Sequence, residues 1–91
     1  MNQVAGQGVS EPVIMLKNLL EYVVKTIVYK PEAVEIIAEF NVESGHLFSI
    51  KVDNRDLGRV IGKNGQTIKS IRSLVNAINP GLKDITVDVS K

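Results

Sequence analysis

Apolar positions along the chain follow two periods, and the switches between them mark out six elements. Val13, Leu16, Leu20, Val23 and Ile27 recur at steps of 3, 4, 3 and 4, the spacing of one buried helical face. Leu19, Val24 and Val28 widen that face. Ser10 offers an N-cap, Glu11 puts a carboxylate at the positive end of the helix dipole, and Pro12 falls where a missing N–H does no harm. The helix is expected to stop just before Pro31, because the residue preceding a proline avoids the helical region.

From Val34 the period becomes two. Val34, Ile36, Ala38, Phe40 and Val42 alternate with Glu35, Ile37, Glu39, Asn41 and Glu43, which predicts a strand with the first set facing inward. Ser44-Gly45 reads as a turn, and Phe48, Ile50 and Val52 carry a second strand, so the pair is a hairpin. Asp53-Asn54 can cap a short helix bearing Leu57, Val60 and Ile61, which Gly62-Lys63-Asn64-Gly65 interrupts. Another helix starts near Gln66 and presents Ile68, Ile71, Val75 and Ile78, with Leu74 beside them, until Asn79-Pro80-Gly81 ends it. A last strand over residues 84–90 turns Ile85, Val87 and Val89 inward, with Thr86 and Asp88 outward.

The order is helix, strand, strand, helix, helix, strand. A crossover of about 30 residues with two helices lets the second and third strands lie parallel. The product is an α+β fold, a three-stranded mixed sheet with three helices on its apolar face. Residues 1–10, small and polar with two glycines, read as a disordered tail ahead of one domain over residues 11–91.

Composition narrows the function classes. The chain has 91 residues, 44% hydrophobic, enough for one core. It has no cysteine and a single histidine, His46, so disulfides, thiolate catalysis, Cys-based zinc sites and His clusters are excluded. No apolar run approaches the roughly 20 residues that span a bilayer, and residues 1–10 lack the pattern of a secretory signal. A cytoplasmic domain without membrane contact is expected. Glu35, Glu39 and Glu43 read as solubilising charges on the outer sheet face, not as a catalytic carboxylate pair. Residues 1–50 hold three lysines against six glutamates, whereas residues 51–91 hold eight Lys/Arg against four aspartates. That asymmetry hints at an anionic partner for the second half.

The glycine loop sharpens the hint. It is not a Walker loop, because Gly58 stands too close to Gly62 and Asn64 follows Lys63 where a hydroxyl should bind magnesium. Nor is there a Gly-x-Gly-x-x-Gly run after a strand. The run Val60-Ile61-Gly62-Lys63-Asn64-Gly65-Gln66-Thr67-Ile68-Lys69-Ser70-Ile71 instead resembles the Ile-Gly-x-x-Gly-x-x-Ile signature of KH domains. The type II KH arrangement also has the element order derived above. With Glu21-Tyr22-Val23-Val24-Lys25 near the start and Asp56-Leu57-Gly58-Arg59 leading into the loop, residues 13–91 resemble the KhpA family of small bacterial RNA-binding proteins.

That resemblance implies a cytoplasmic, RNA chaperone-like protein with no cofactor and no small-molecule substrate. It also implies self-association or pairing with a second KH protein of the KhpB, or Jag, kind, and a link to cell-wall growth and cell shape. Gly62, Lys63, Asn64 and Gly65 would hold the sugar–phosphate chain of single-stranded RNA. Arg55, Arg59, Lys63, Lys69 and Arg72 would form a basic rim opposed by Asp53 and Asp56, and Val60, Ile61 and Ile68 are candidates to line the base groove. None of the aromatics, Tyr22, Tyr29, Phe40 and Phe48, is near the loop in sequence, so base stacking on aromatic platforms is not expected. An alternative is an adaptor that docks a partner KH protein, with RNA binding incidental. Single-stranded DNA stays open, since the loop makes no evident demand for a 2′-hydroxyl.

Overall fold

The computed structural model describes residues 10–90. Apart from Ser10, the tail expected over residues 1–10 lies outside the described residues. Helix α1 spans Glu11–Ile27, with the Ser10 hydroxyl accepting from the Val13 N–H at 3.4 Å. Its buried residues are Val13, Leu16, Leu20 and Val24. Val23 and Ile27, expected on that face, are only half-buried. A run of 3- and 4-residue steps averages 3.5 per turn, whereas the helix turns every 3.6, so the buried stripe drifts onto Val24.

The helix also ends earlier than Pro31 dictates. Val28 is already extended at φ −102° and ψ 160°. The N–H groups of Tyr29 and Lys30 donate to the two carboxylate oxygens of Asp56, each at 3.0 Å. A continuing helix would have aimed those amides at its own carbonyls.

Strands β1 (Glu35–Asn41) and β2 (Gly45–Lys51) pair antiparallel, and β3 (Ile85–Val89) runs parallel to β2, in the order β1-β2-β3. The crossover carries α2 (Leu57–Ile61) and α3 (Gln66–Ile78). This is the α+β, mixed-sheet arrangement of a type II KH domain. Two rows of side chains cross the sheet beneath the helices, Ile36–Ile50–Val89 and Ala38–Phe48–Val87. Phe48 and Ile50 of the central strand are fully buried against Leu16, Leu20, Val60, Ile71 and Val75. Each such burial stabilises by about 1.5–3 kcal/mol.

The third row, Phe40–His46–Ile85, departs from expectation. Phe40 is 61% exposed, with its ring 4.8 Å from that of His46, and Val42 is 89% exposed. The helical layer stops short of this end of the sheet, so inward parity no longer means burial. Leu74 and Ile78 of α3 are likewise exposed rather than core. The hairpin turn is made by Val42, Glu43 and Ser44, with Gly45 already in β2. The Asn41 side-chain oxygen closes it, accepting from the N–H groups of Glu43 at 2.8 Å and Ser44 at 3.3 Å. Among the described residues no helix is long and apolar enough to cross a membrane.

Candidate functional site

Five residues are too few for a helix to stand alone, so α2 depends on what surrounds it. The Asp53 carboxylate accepts from the Arg55 N–H at 2.9 Å and caps a single 3-10 turn, Asn54–Asp56, that leads into the helix. That hydrogen bond, with the Arg55 guanidinium adding to it against some desolvation, holds the Asp53 carboxyl below the usual carboxylate range. Val60 anchors the inner face with no exposed surface. Asp56, 1% exposed, ties the start of α2 to the chain leaving α1 through Tyr29 and Lys30. A buried carboxylate needs such donors, because leaving it unpaired costs several kcal/mol.

Gly62 ends α2, donating its N–H to the Gly58 carbonyl at 2.8 Å, and adopts φ 78°. A Cβ there would stand 2.7 Å from the Thr67 amide nitrogen and run into the Thr67 side chain. A single 3-10 turn, Lys63–Gly65, follows, closed by the Gly65 N–H on the Gly62 carbonyl at 3.1 Å. Asn64 (φ 56°, ψ 27°) and Gly65 (φ 73°, ψ 17°) are both left-handed, a conformation that costs most L-residues about 1–2 kcal/mol and that Asn tolerates. A Cβ on Gly65 would meet only the Lys69 Cε, at 4.0 Å. The two glycines therefore serve different needs: Gly62 lets the loop fold against α3, and Gly65 keeps its outer surface bare.

The loop leaves the N–H groups of Lys63 and Asn64 without a protein acceptor among the described residues. Helix α3 begins at the next residue, Gln66, so its positive end adjoins the same backbone. Lys63 and Lys69 are exposed and form no ion pair among the described residues. The amides and the dipole adjoin one another, Lys63 belongs to the loop, and the Lys69 Cε lies 4.0 Å from where a Gly65 Cβ would stand; what such a place can hold is an anion.

The other expected basic residues are already engaged. Arg55 pairs with Asp53 at 3.3 Å and is largely exposed. Arg72 reaches across to β3, its Nε donating to the Val87 carbonyl at 2.8 Å and its Nη2 to Asp88 at 3.1 Å. Arg59 turns its Nε toward Asp56 at 4.0 Å and lays its guanidinium 3.7 Å above the centre of the Tyr29 ring. Of the three groove candidates, Val60 and Ile68 are core residues at 0% and 6% exposure. Only Ile61, half-buried, has surface to present.

Two residues escaped sequence reasoning. Asp56 read as a surface charge opposing the rim, yet it is the buried tie beneath α2. Tyr29 read as remote from the loop, yet it lies under Arg59, three residues before Gly62. No local pattern marks either one, because the amides that Asp56 holds lie 26 and 27 residues before it and Arg59 lies 30 residues after Tyr29.

The family model described as "KhpA/KhpB, KH domain" matches residues 17–89. The RNA-binding protein KhpA of Thermotoga maritima is 42% identical over 74 residues, covering 81% of this chain and 97% of that protein. That of Streptomyces coelicolor is 40% identical over 75 residues, 82% of this chain and 91% of the relative. The Clostridium perfringens KhpA is 40% identical over 62 residues, 68% of this chain and 81% of the relative. No solved structure gives a significant match.

Proposed function

The chain belongs to the KhpA/KhpB KH-domain family, and from that premise we propose that it binds single-stranded RNA by gripping the sugar–phosphate backbone in the Gly62–Gly65 loop. The observation that carries the reading is the pair of unclaimed amides at Lys63 and Asn64, set between a left-handed turn and the start of α3. Phosphate oxygens accept from those amides, Lys63 and Lys69 add charge, and the bare surface at Gly65 admits the strand. No step of this needs a reaction, a metal or a cofactor.

The proposal extends to the setting that the family resemblance implies. One such loop grips about four nucleotides, which favours a pair of domains that raise each other's effective concentration on one RNA. The chain then acts in the cytoplasm as a homodimer or beside a KhpB/Jag-type KH protein, in an RNA chaperone-like role tied to cell-wall growth and cell shape. Exposed Ile14, Met15, Leu74 and Ile78 supply apolar surface for such pairing.

The test is fluorescence anisotropy of a labelled single-stranded RNA with wild type and a Lys63→Asp, Asn64→Asp double variant. Three or four phosphate contacts predict that log K falls with log salt at a slope of about −2 to −3. The double variant should stay folded and lose at least tenfold in affinity. Equal binding by both proteins removes the loop from the reading and leaves the partner-docking adaptor in its place. A matched DNA strand separates RNA from single-stranded nucleic acid in general.

A further inference from the structure

Arg59 is held on two sides and open on a third. Its Nε edge faces the buried Asp56 and one face of its guanidinium lies on the Tyr29 ring. The terminal nitrogens have no protein acceptor among the described residues, and the side chain remains 44% exposed. Tyr29 is fixed through its own backbone, since its N–H is bonded to the same Asp56, while the residue as a whole is 76% exposed. A large aromatic surface left in water beside a fixed, incompletely satisfied guanidinium is what a nucleotide can use: a base stacks on the exposed aromatic surface, and a phosphate takes the terminal N–H groups.

The position suits a strand that leaves the loop. Arg59 precedes Gly62 by three residues, about 4.5 Å along the helix axis, and the Gly62 N–H is bonded to the Gly58 carbonyl next to Arg59. Successive phosphates of a stacked strand are about 3.4 Å apart along its axis. Gly58 carries no side chain and has open space where one would stand. On these observations we propose that Tyr29 and Arg59 form a second nucleotide subsite, which takes the base and phosphate adjoining those held by the Gly62–Gly65 loop. This rests on the RNA-binding reading above and adds to it a stacking contact from outside the loop and its helices.

The subsite makes binding depend on RNA length. Anisotropy titrations would compare an RNA of about four nucleotides, sufficient for the loop, with one of about eight. The proteins are wild type, Tyr29→Leu, Tyr29→Phe and the Lys63→Asp, Asn64→Asp double variant, each checked for folding by circular dichroism. Losing one stacked base should weaken binding of the longer RNA to Tyr29→Leu about tenfold. The short RNA should bind that variant as it binds wild type, and Tyr29→Phe, which keeps the ring, should retain both affinities. The double variant should lose both RNAs. The subsite is overturned if Tyr29→Leu binds the longer RNA like wild type, if it weakens both lengths equally, or if Tyr29→Phe is as weak as Tyr29→Leu. If the double variant alone keeps wild-type affinity, the loop reading fails while the Tyr29 contrast still decides the stacking contact. Binding of neither RNA by wild type overturns both.

Discussion

Two three-residue turns in this molecule behave in opposite ways. The hairpin turn at Val42–Ser44 satisfies itself, because the Asn41 side chain accepts from the amides of Glu43 and Ser44. The turn at Lys63–Gly65 leaves two of its amides unclaimed. Charge follows the same division, with Glu39 and Glu43 around the first and Lys63 and Lys69 around the second. A turn becomes a binding site less through its glycines than through the hydrogen bonds its own chain declines to make. The second turn must then be held in shape from elsewhere, and Asp56 and Val60 do so from beneath.

The largest effect should come from removing that support. Asp56→Ala takes the acceptor from two amides and leaves Arg59 without its buried counter-charge, which should cost about 3 kcal/mol or more. Chemical denaturation would show the loss, and a drop under 1 kcal/mol would mean that the loop does not depend on this tie. Next is Gly62→Ala, which forces a Cβ into Thr67 at a positive φ and should cost about 2 kcal/mol. Gly65→Ala, with open space around it, should cost only about 1 kcal/mol from its left-handed backbone yet weaken RNA binding several-fold. Equal stability losses at the two glycines would erase the distinction drawn between them.

The hairpin supplies the control. Asn41→Ala should destabilise by about 1 kcal/mol and leave RNA affinity within twofold of wild type, measured by melting and anisotropy on the same preparation. The smallest effect concerns pH. The folded-state pKa of Asp53 is lowered by the Arg55 amide, so its contribution is present above the unfolded value near 3.9 and fades as pH falls through the folded one. Asp53→Asn should remove that share of the acid-side loss, seen as a flatter dependence of melting temperature on pH below about 4.

What the sequence disclosed of all this depended on how local the cause was. The helical and strand periods were legible because each amphipathic element carries its own pattern, and the loop was legible because positive φ at Gly62, Asn64 and Gly65 demands particular residue types at fixed spacing. The inward series failed at Phe40 and Val42, since nothing in a strand's alternation tells how far the opposing helices reach. Arg59, Lys69 and Arg72 looked equivalent as basic helix residues. Only the folded chain shows that Arg59 faces Asp56 and Tyr29, that Arg72 is tied to β3, and that Lys69 has no partner among the described residues.

The bond from Arg72 to the Val87 carbonyl bears on how the protein behaves in a crowded solution. Strand β3 is one of the two edges of the sheet, and alternation along it turns the backbone groups of Ile85, Val87 and Val89 away from β2. Such a row is a template on which a second chain can add a strand and start an aggregate. Val87 is its middle member, and its carbonyl is already occupied by a side chain reaching over from α3. An incoming strand finds no two consecutive free acceptors, so a single arginine blunts the edge against unwanted polymerisation.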